Sequence, residues 1–459
     1  MQRMSSLDAG FFFAENDRTP LQFATVGVFE GELPSYGDLV RLIMSKLPQV
    51  PKYRQRVRRV PFNLARPVWT DDQHFQVLYH VRHTAVPKPG GAEELRNLAG
   101  RILAQRLDLS RPLWEAWLVE GLEGGRWALL IKMHHCMADG VGSSELVERL
   151  FDRAAGESQA ETEAEPPPWT PEQEPSALSL MLGGVRDTAA DVIRQAVRIP
   201  GYAQDLGTDI GFAGGLPRYA ASLLKPAAPS LNGPTSPHRR WSWLQADLDE
   251  VKRTGRALGG TVNDVILAAV AAGFRDLLRS RGVRPDDTIV RTMVPVSVRS
   301  AGEKNVLTNR VSAVLVNLPC GEPDPVRRIH LVREQMGFLK DSHQAIGPDA
   351  LVRLLGVAPE VLAATVHTAL LLRQPVIQTV TTNVPGPSYP LYLLGSKLVE
   401  MYPYVPIALG FRISIANYSY LGRLFFGLTG DFDAMPDLDL LADGIRAGFD
   451  ELIKEAARA

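Results

Sequence analysis

The chain has 459 residues, of which 45% are hydrophobic and 22% are charged, and its formal net charge is -1. This is the composition of an ordinary globular protein, and the length exceeds the size at which one hydrophobic core stops growing, so we expect two domains. The near-zero charge gives no electrostatic reason to expect a nucleic-acid partner.

The first residues carry only a short apolar patch with acidic residues around it, which is not the pattern of a secretory signal. No run approaches the roughly 18 uninterrupted apolar residues of a membrane span. Cys136 and Cys320 form neither a CxxC pair nor a disulfide framework, which is typical of a reducing compartment. We therefore expect a cytoplasmic protein.

The first part of the chain alternates strands and helices. LQFATVGVFEG, from Leu21, predicts a strand, and YGDLVRLIMSKL, from Tyr36, predicts a helix. Further on, RWALLIKM has the length and apolar content of a buried strand, and GSSELVERLF (142–151) has helical spacing. The two segments predict a strand, a short loop and a helix in succession.

The composition changes at residues 152–176, which are rich in Glu and Pro and nearly free of aliphatic side chains, so they predict a linker. A helix is expected after Ser176. Beyond a second loose stretch, RRWSWLQADL predicts a strand and DEVKRTGRALGG a helix that ends at Gly259. We therefore expect an N-terminal domain at 1–151, a linker with a connecting helix at 152–239, and a C-terminal domain at 240–459.

The loop after RWALLIKM begins with two adjacent histidines, His134 and His135, and continues to Asp139 and Gly140. Neighbouring strand residues point to opposite faces, so if the strand continues through His135, only one imidazole can face a given cleft, and the pattern alone does not say which. Histidine suits a general base because its pKa lies near the working pH. Asp139 could orient a ring or hold the loop by pairing with an arginine. A buried histidine pair followed by a turn, without function, is the alternative.

Other chemistries fit this loop less well. A metal site is not expected, because adjacent strand histidines diverge and the chain has no HExxH or HxH spacing. Cys136 stands among apolar neighbours and predicts inert packing. GVGSS does not match the GxSxG elbow of a serine hydrolase, so Ser143 and Ser144 fit the first turn of a helix better. No covalent nucleophile is indicated.

HHCMADG resembles the HHxxxDG motif of the CoA-dependent acyltransferase superfamily. RPLWEAWLVEGLEGGRWALLIKMHH, SLNGPTSPHRR, TVNDVILAAV, MVPVSVR and TTNVPGPSYPLYLLGSKLVEMYPYVPIALG resemble, in this order and nearly end to end, the bacterial wax ester synthase/diacylglycerol acyltransferase family. HHxxxDG alone is specific only to the superfamily, whereas the PLW, ND and NVPGP segments discriminate much more sharply.

The resemblance implies an α/β (α+β) fold with two chloramphenicol-acetyltransferase-like domains. Each would be a mixed β-sheet with flanking helices, joined by the linker, with the active-site tunnel between them. It also implies that His135 is the general base, supported by His134 and Gly140 of the motif. Asp139 would be mainly structural and paired with an arginine, for which Arg299 is the candidate.

The ND and NVPGP segments supply further candidates for substrate-binding or structural roles. Thr261 and Asp264 have the spacing of a helix cap, which explains the aspartate without function. Asn263 is less easily explained by capping, and the resemblance implies a hydrogen bond near the tunnel. NVPGP predicts a turn in which Asn383 offers a polar contact.

The resemblance implies an O-acyltransferase that moves a long-chain acyl group from acyl-CoA, as co-substrate, to the hydroxyl of diacylglycerol, with a fatty alcohol as a further candidate acceptor. No bound cofactor is expected. A condensation-type enzyme acting on another alcohol or an amine and a non-catalytic acyl-lipid binding protein are the alternatives. Since the substrates are lipids, we expect peripheral association with a membrane or with lipid inclusions.

Overall fold

A computed structural model describes residues 2–137, 149–156, 169–184, 186, 228–297, 311–341, 376–408 and 410–458. Its described strands form two six-stranded sheets and one three-stranded sheet. The predicted α/β architecture with two sheet-rich halves is confirmed. Asp139, Gly140 and Arg299, most of the helix expected at 142–151 and most of the linker lie outside the described residues.

The described strands before the linker number seven, and three helices accompany them. The strands are β1 (Gln2–Arg3), β2 (Gln22–Glu30), β3 (Gln55–Arg58), β4 (Val68–Asp71), β5 (Val81–Ala85), β6 (Trp114–Glu120) and β7 (Trp127–His134). The helices are α1 (Ser6–Ala14), α2 (Tyr36–Lys46) and α3 (Ala92–Ala104). Short 3-10 turns lie at Leu47–Gln49, Pro51–Arg54, Pro61–Asn63, Val77–Tyr79, Glu123–Gly125 and His135–Met137.

The described part after the linker contains eight strands and four named helices. The strands are β8 (Arg239–Asp247), β9 (Val290–Ser297), β10 (Val311–Leu318), β11 (Thr379–Val384), β12 (Tyr392–Leu393), β13 (Ser396–Tyr404), β14 (Ile413–Tyr420) and β15 (Arg423–Asp431). The helices are α4 (Leu248–Ala257), α5 (Val262–Ser280), α6 (Pro325–Asp341) and α7 (Leu438–Ala456). Short 3-10 turns lie at Pro229–Leu231 and Pro285–Asp287.

The first sheet has the strand order β12-β13-β2-β7-β6-β5. The strand predicted from RWALLIKM is β7, which pairs antiparallel with β2 on one side and with β6 on the other. All eight residues of β7 are buried, because it is an inner strand whose two faces are both covered. This strand carries the chain into the middle of the first core and ends at His134.

The second sheet has the order β10-β9-β11-β14-β15-β8, with parallel and antiparallel pairs. Its core is built around α5, which is buried over most of its length and packs against α7. A Cβ atom at Gly273 would stand 2.6 Å from a side-chain carbon of Ile445 and 2.9 Å from the Leu441 carbonyl oxygen. The missing side chain therefore permits the close approach of the two helices.

Local sequence signals mark the start of α2 and the end of α4. Ser35 precedes α2, and its hydroxyl accepts a hydrogen bond from the Asp38 N–H at 3.1 Å. The helix predicted from DEVKRTGRALGG is α4, and Gly259 follows it with φ of 70°, in the left-handed region that glycine adopts without strain. The predicted end at Gly259 is confirmed.

The second half contributes two strands to the first sheet. Although β12 and β13 belong to the predicted C-terminal domain, β13 pairs with β2 in the first sheet, with Tyr404 opposite Ala24. Asp152, the first residue of the predicted linker, exchanges two backbone hydrogen bonds of 2.9 Å with Tyr392 of β12. The sheets therefore do not follow the boundaries at 151 and 240, because the chain crosses back to complete the first sheet.

The described end of the linker lies on the first half. Arg56 donates a hydrogen bond to Glu174 at 2.8 Å, and the Gln73 side chain donates to the Glu172 carbonyl at 2.6 Å. A helical stretch at 177–184 follows, as expected after Ser176. Polar pairing holds this acidic segment, which explains how it is ordered despite its lack of aliphatic side chains.

Within the described ranges, no single helix has the length and apolar character of a membrane span. Only α4 and α5 together pass by length and composition, and they are bent by 97° at their junction.

Candidate active site

The two histidines lie where β7 ends. His134 is the last strand residue, and His135 begins a single 3-10 turn that ends at Met137. The His134 N–H donates to the Leu113 carbonyl at 2.9 Å, and the His135 N–H donates to the Leu21 carbonyl at 2.8 Å. The two backbone N–H groups therefore point to residues that precede β6 and β2, on opposite sides of β7. The extended geometry ends at His134, so strand alternation does not itself place the two rings on opposite faces, and the assignment of their roles stays a prediction.

The His134 ring is completely buried and braces the turn that follows it. Its Nδ1 accepts the backbone N–H of Cys136 at 3.0 Å, so the ring proton of the neutral imidazole must lie on Nε2. The Nε2 atom lies 3.6 Å from Oε1 of Glu15. Burial, with smaller contributions from His135 and Arg106, lowers the pKa of His134 to about 3, so this ring is neutral at physiological pH.

The His135 ring is partly exposed and packs between two aromatic side chains. Phe11 of α1 stacks on it with ring centroids 4.0 Å apart, and Phe23 of β2 meets it edge-on at 5.8 Å. Its Nδ1 is buried without a regular hydrogen bond. Burial lowers the pKa of His135, and the ring's interaction with its own backbone carbonyl raises it by a smaller amount. The imidazole is therefore neutral and available to accept a proton at neutral pH.

A buried carboxylate completes the surroundings of the pair. Glu15 follows α1, its side chain is wholly buried, and it accepts hydrogen bonds from the Leu21 N–H at 3.2 Å and from Arg106 at 3.1 Å. Arg106 also donates to the exposed Asp17 at 2.6 Å. Burial raises the pKa of Glu15 against the opposing effect of Arg106. No local sequence pattern predicts that Glu15 and Arg106 belong to this site.

Arg106 reaches this site because side chains of β2 and β7 hold the C-terminal end of α3 in place. The Gln22 side chain donates to the carbonyls of Leu103 and Gln105 at 2.7 and 2.6 Å. The buried Lys132 ammonium donates to the Gln105 carbonyl at 3.2 Å as well. These bonds satisfy carbonyls that the helix end leaves unpaired, so the residue that follows is held in place.

Cys136 is buried beside the pair and is unsuited to nucleophilic attack. Burial, together with the charge of Asp8, raises the pKa of its thiol well above the usual value. A protonated, enclosed thiol is a poor nucleophile. The prediction of inert packing agrees with this environment. Within the described ranges, no group of three His, Cys, Asp or Glu side chains could hold a metal ion.

The other candidates lie in the second half. Asp264 is buried and receives hydrogen bonds from the backbone N–H and the hydroxyl of Thr261, both at 2.8 Å, which is the arrangement of a capping box. Asn263 is half-buried in the first turn of α5. Asn383 lies on β11 opposite Asn417 of β14. In the part of the chain that the structure describes, no hydrogen bond or ring contact joins these three candidates to either histidine.

A cleft with a volume of about 1170 Å³ lies between α3, the start of β8 and the start of α7. Five arginines line it, and neither histidine does; the arginines are Arg96, Arg101, Arg106, Arg239 and Arg240. This cleft is therefore not the tunnel that the resemblance implies, and that tunnel stays a prediction.

Comparisons with known proteins show which family this chain resembles. The family model of the wax ester synthase/diacylglycerol acyltransferase catalytic domain matches residues 4–266, and that of the WS/DGAT C-terminal domain matches residues 307–453. A probable diacylglycerol O-acyltransferase of Mycobacterium tuberculosis is 36% identical over 462 aligned residues, which cover 100% of this chain and 97% of the relative.

Solved structures share the fold. The wax ester synthase/diacylglycerol acyltransferase of Marinobacter aquaeolei VT8 is 25% identical, with a TM-score of 0.71 and complete coverage of both chains. A mutant starter condensation domain of rhizomide synthetase, in complex with C8-CoA, is 15% identical with a TM-score of 0.60, covering 99% of this chain and 95% of its own. Together with the two family models, these findings confirm the resemblance: the chain belongs to the wax ester synthase/diacylglycerol acyltransferase family of enzymes.

Proposed function

We propose that this enzyme transfers a long-chain acyl group from acyl-CoA to the hydroxyl of diacylglycerol, forming triacylglycerol, and to the hydroxyl of a fatty alcohol, forming a wax ester. Family membership and the names of the relatives support both acceptors. The observation that carries the mechanism is the neutral, partly exposed His135 ring between Phe11 and Phe23.

His135 acts as the general base through Nε2. The Nδ1 atom is buried, so Nε2 is the ring nitrogen assigned to meet the substrate. Nε2 takes the proton of the acceptor hydroxyl as the oxygen attacks the thioester carbonyl. The tetrahedral intermediate then collapses, the C–S bond breaks, and the same proton passes from His135 to the CoA thiolate. Transfer is direct, with no acyl-enzyme intermediate.

The remaining motif residues have supporting roles. His134 braces the turn, since its contacts go to the Cys136 N–H and towards Glu15. Asp139, Gly140 and Arg299 lie outside the described residues, so the pairing of Asp139 with Arg299 stays a prediction. Asp264 has a structural role, because its contacts are those of a helix cap.

Two further candidates in the second half are assigned to substrate contacts. Asn263 and Asn383 offer half-buried amides that would bind polar parts of the substrates near the tunnel. The tunnel between the two halves keeps water away from the thioester, and its apolar walls accept the long chains.

The acceptor is tested by one parallel assay. The enzyme and its His135→Ala variant are given long-chain acyl-CoA with diacylglycerol, a fatty alcohol or a long-chain amine, and free CoA and product lipid are measured. We expect esters with the two hydroxyl acceptors and no amide. Amide formation would favour the condensation-type alternative, and acyl-CoA binding without CoA release would favour a non-catalytic binding protein.

We further propose that the enzyme works in the cytoplasm, peripherally attached to a membrane or to lipid inclusions. Its two cysteines are unpaired, which suits a reducing compartment. Phe62 is 82% exposed and Leu64 is 40% exposed on a single loop, and Phe62 has φ of 58°. The loop belongs to a segment, residues 52–66, with six Lys or Arg and no acidic residue. An exposed apolar tip suits the interface of a lipid layer. Within the segment, Arg54 is buried and Arg56 and Arg58 pair with Glu174, so the exposed apolar tip carries the proposal.

The attachment is tested by flotation with phosphatidylglycerol vesicles. We expect the wild-type protein to float and to be released by carbonate, and we expect Phe62→Asp to remain in solution. Leu440→Asp is the control, because Leu440 is also an exposed apolar residue, 37% exposed, on α7. Retention after carbonate washing, or equal flotation of Phe62→Asp, would contradict the proposal.

A further inference from the structure

Glu15 is a buried carboxylate for which the general-base mechanism has no role. It caps α1, with its backbone N–H donating to the Phe11 carbonyl at 3.3 Å, and its side chain is 0% exposed. An ionised group so far from water must be paired, because desolvation strongly disfavours its charge. The donors around this carboxylate therefore show which groups it positions.

Three donors converge on the carboxylate. The Leu21 N–H and the Arg106 guanidinium form hydrogen bonds of 3.2 and 3.1 Å. The third is Nε2 of His134, which lies 3.6 Å from Oε1 and is buried without any hydrogen bond. Since Nδ1 of His134 already accepts the Cys136 N–H, the proton of this ring points towards Glu15.

The carboxylate also reaches His135, through one residue. The Leu21 N–H donates to Glu15, and the Leu21 carbonyl accepts the His135 N–H at 2.8 Å. Phe11, whose carbonyl accepts the Glu15 N–H, stacks on the His135 ring at 4.0 Å. Glu15 is thus connected to the ring of one histidine and to both the backbone and the stacking partner of the other.

We propose that Glu15 is a positioning residue for acyl transfer: its carboxylate fixes the Nε2–H tautomer and ring orientation of His134 and, through Leu21, the backbone of His135. This inference rests on the proposed role of His135 as the base. Glu15 acts in its ionised form, because all three of its partners are hydrogen-bond donors.

Two cations and two uncharged titratable groups surround Glu15. Arg106, after α3, and Lys132, on β7, lower the pKa of Glu15, and burial raises it. The His134 ring is neutral at physiological pH, and the Cys136 thiol is protonated. Arg106 is the only one of these groups that joins Glu15 to the protein surface in the described part of the chain, through the exposed Asp17.

The direct test is Glu15→Gln. A glutamine amide has one acceptor oxygen and one donor NH₂ group, so at least one of the three donors loses its acceptor. We expect kcat to fall about 10- to 100-fold, the order of effect when a buried donor loses a charged acceptor, while the KM for acyl-CoA stays within about twofold. Asp17→Asn is the matched control, because it removes the other carboxylate partner of Arg106 and touches neither histidine; it should retain wild-type kcat.

A spectroscopic readout separates positioning from general stability. In protein labelled with ¹⁵N-histidine, we expect one imidazole with a protonated Nε2 and an unprotonated Nδ1 that does not titrate between pH 5 and 8, since the pKa of His134 is about 3. Its absence from a His134→Ala sample assigns the signal. Glu15→Gln should shift this Nε2–H resonance, and Asp17→Asn should leave it in place.

A second variant keeps the inference testable if Glu15→Gln does not fold. Arg106→Gln removes the cation that lowers the pKa of Glu15, so Glu15 takes up its proton at a higher pH. The acid limb of kcat should then move to higher pH in Arg106→Gln and not in Asp17→Asn. Wild-type kcat and an unmoved acid limb in these variants, with His135→Ala inactive, would overturn the inference alone. A fully active His135→Ala would overturn the proposed mechanism, and the inference with it.

Discussion

The exit of β7 and the start of α5 are both marked by short sequence motifs, yet they are held in different ways. At α5, Thr261 and Asp264 satisfy each other across three residues. At β7, the partners of the histidines come from distant parts of the chain, including Phe11, Glu15 and Leu21.

The difference shows how far a motif alone can be interpreted. The hydrogen bonds of Asp264 are those of a cap at the N-terminus of α5, so they do not indicate a catalytic role. The partly exposed His135 ring packs between two aromatic side chains, yet its buried Nδ1 has no regular hydrogen bond. A buried polar atom without a hydrogen bond costs free energy, which favours a chemical role for this ring.

The largest loss of activity is expected from a substitution at His135. His135→Ala should lower kcat by about 10²–10⁴-fold, the usual contribution of a positioned acid–base group. Acyl-CoA binding and the melting temperature should change little, because the ring is partly exposed. Steady-state kinetics and calorimetric titration with acyl-CoA check this. A variant with full activity would show that the β7 exit is as purely structural as the cap of α5.

The direct-transfer mechanism supplies a second check on the same site. Wild-type enzyme quenched with acyl-CoA alone should give only the unmodified chain mass, because no acyl-enzyme forms. An acyl adduct on Cys136 would contradict both the mechanism and the inert environment of that thiol.

A smaller effect on activity and a larger one on stability are expected at His134. His134→Ala leaves the buried Cys136 N–H without its acceptor and opens a cavity, so the free energy of unfolding should fall by about 1–3 kcal/mol or more. Activity should fall less than in His135→Ala. Denaturant titration beside kinetics measures both. An inactive His134→Ala with an active His135→Ala would reverse the assignment of the two rings.

A few-fold effect is expected from pH. The base must be unprotonated, and a pKa lowered by burial keeps it so at more acid pH; activity therefore persists below pH 6.5 and falls only below the folded-state pKa. At the ordinary value of about 6.5, His135 would be about three-quarters protonated at pH 6.

The rate profile of kcat/KM should therefore have its acid limb below pH 6.5. Phe11→Ala removes the stacking ring 4.0 Å away and lets water reach the imidazole, so its limb should move up towards 6.5. An acid limb at 6.5 in both proteins would show that burial does not tune this group.

The local features of both regions could be predicted from the sequence. Apolar content identified β7, and spacing identified the cap at Thr261 and the helix end at Gly259. These features depend on neighbours within a few residues. The long-range features could not be predicted: nothing in local periodicity links Glu15 to Arg106, which lies 91 residues further along the chain, or β13 to β2. Resemblance supplied His135 as the proposed base, and only the structure showed which distant residues contact it and its neighbour.

The smallest effect on activity is expected at Asp264, which tests whether the start of α5 is purely structural. Asp264→Ala removes the capping box of α5, which should cost about 0.5–2 kcal/mol of stability. Thr261→Ala breaks the same reciprocal bonds and should destabilise the protein by a similar amount. Because both changes act only on the helix end, the kcat of the folded protein should stay within about twofold of wild type in each. Matched melting curves and kinetics of the two variants test this. If Asp264→Ala lost activity a hundredfold while Thr261→Ala did not, the carboxylate would contact substrate, and α5 would begin in the active site.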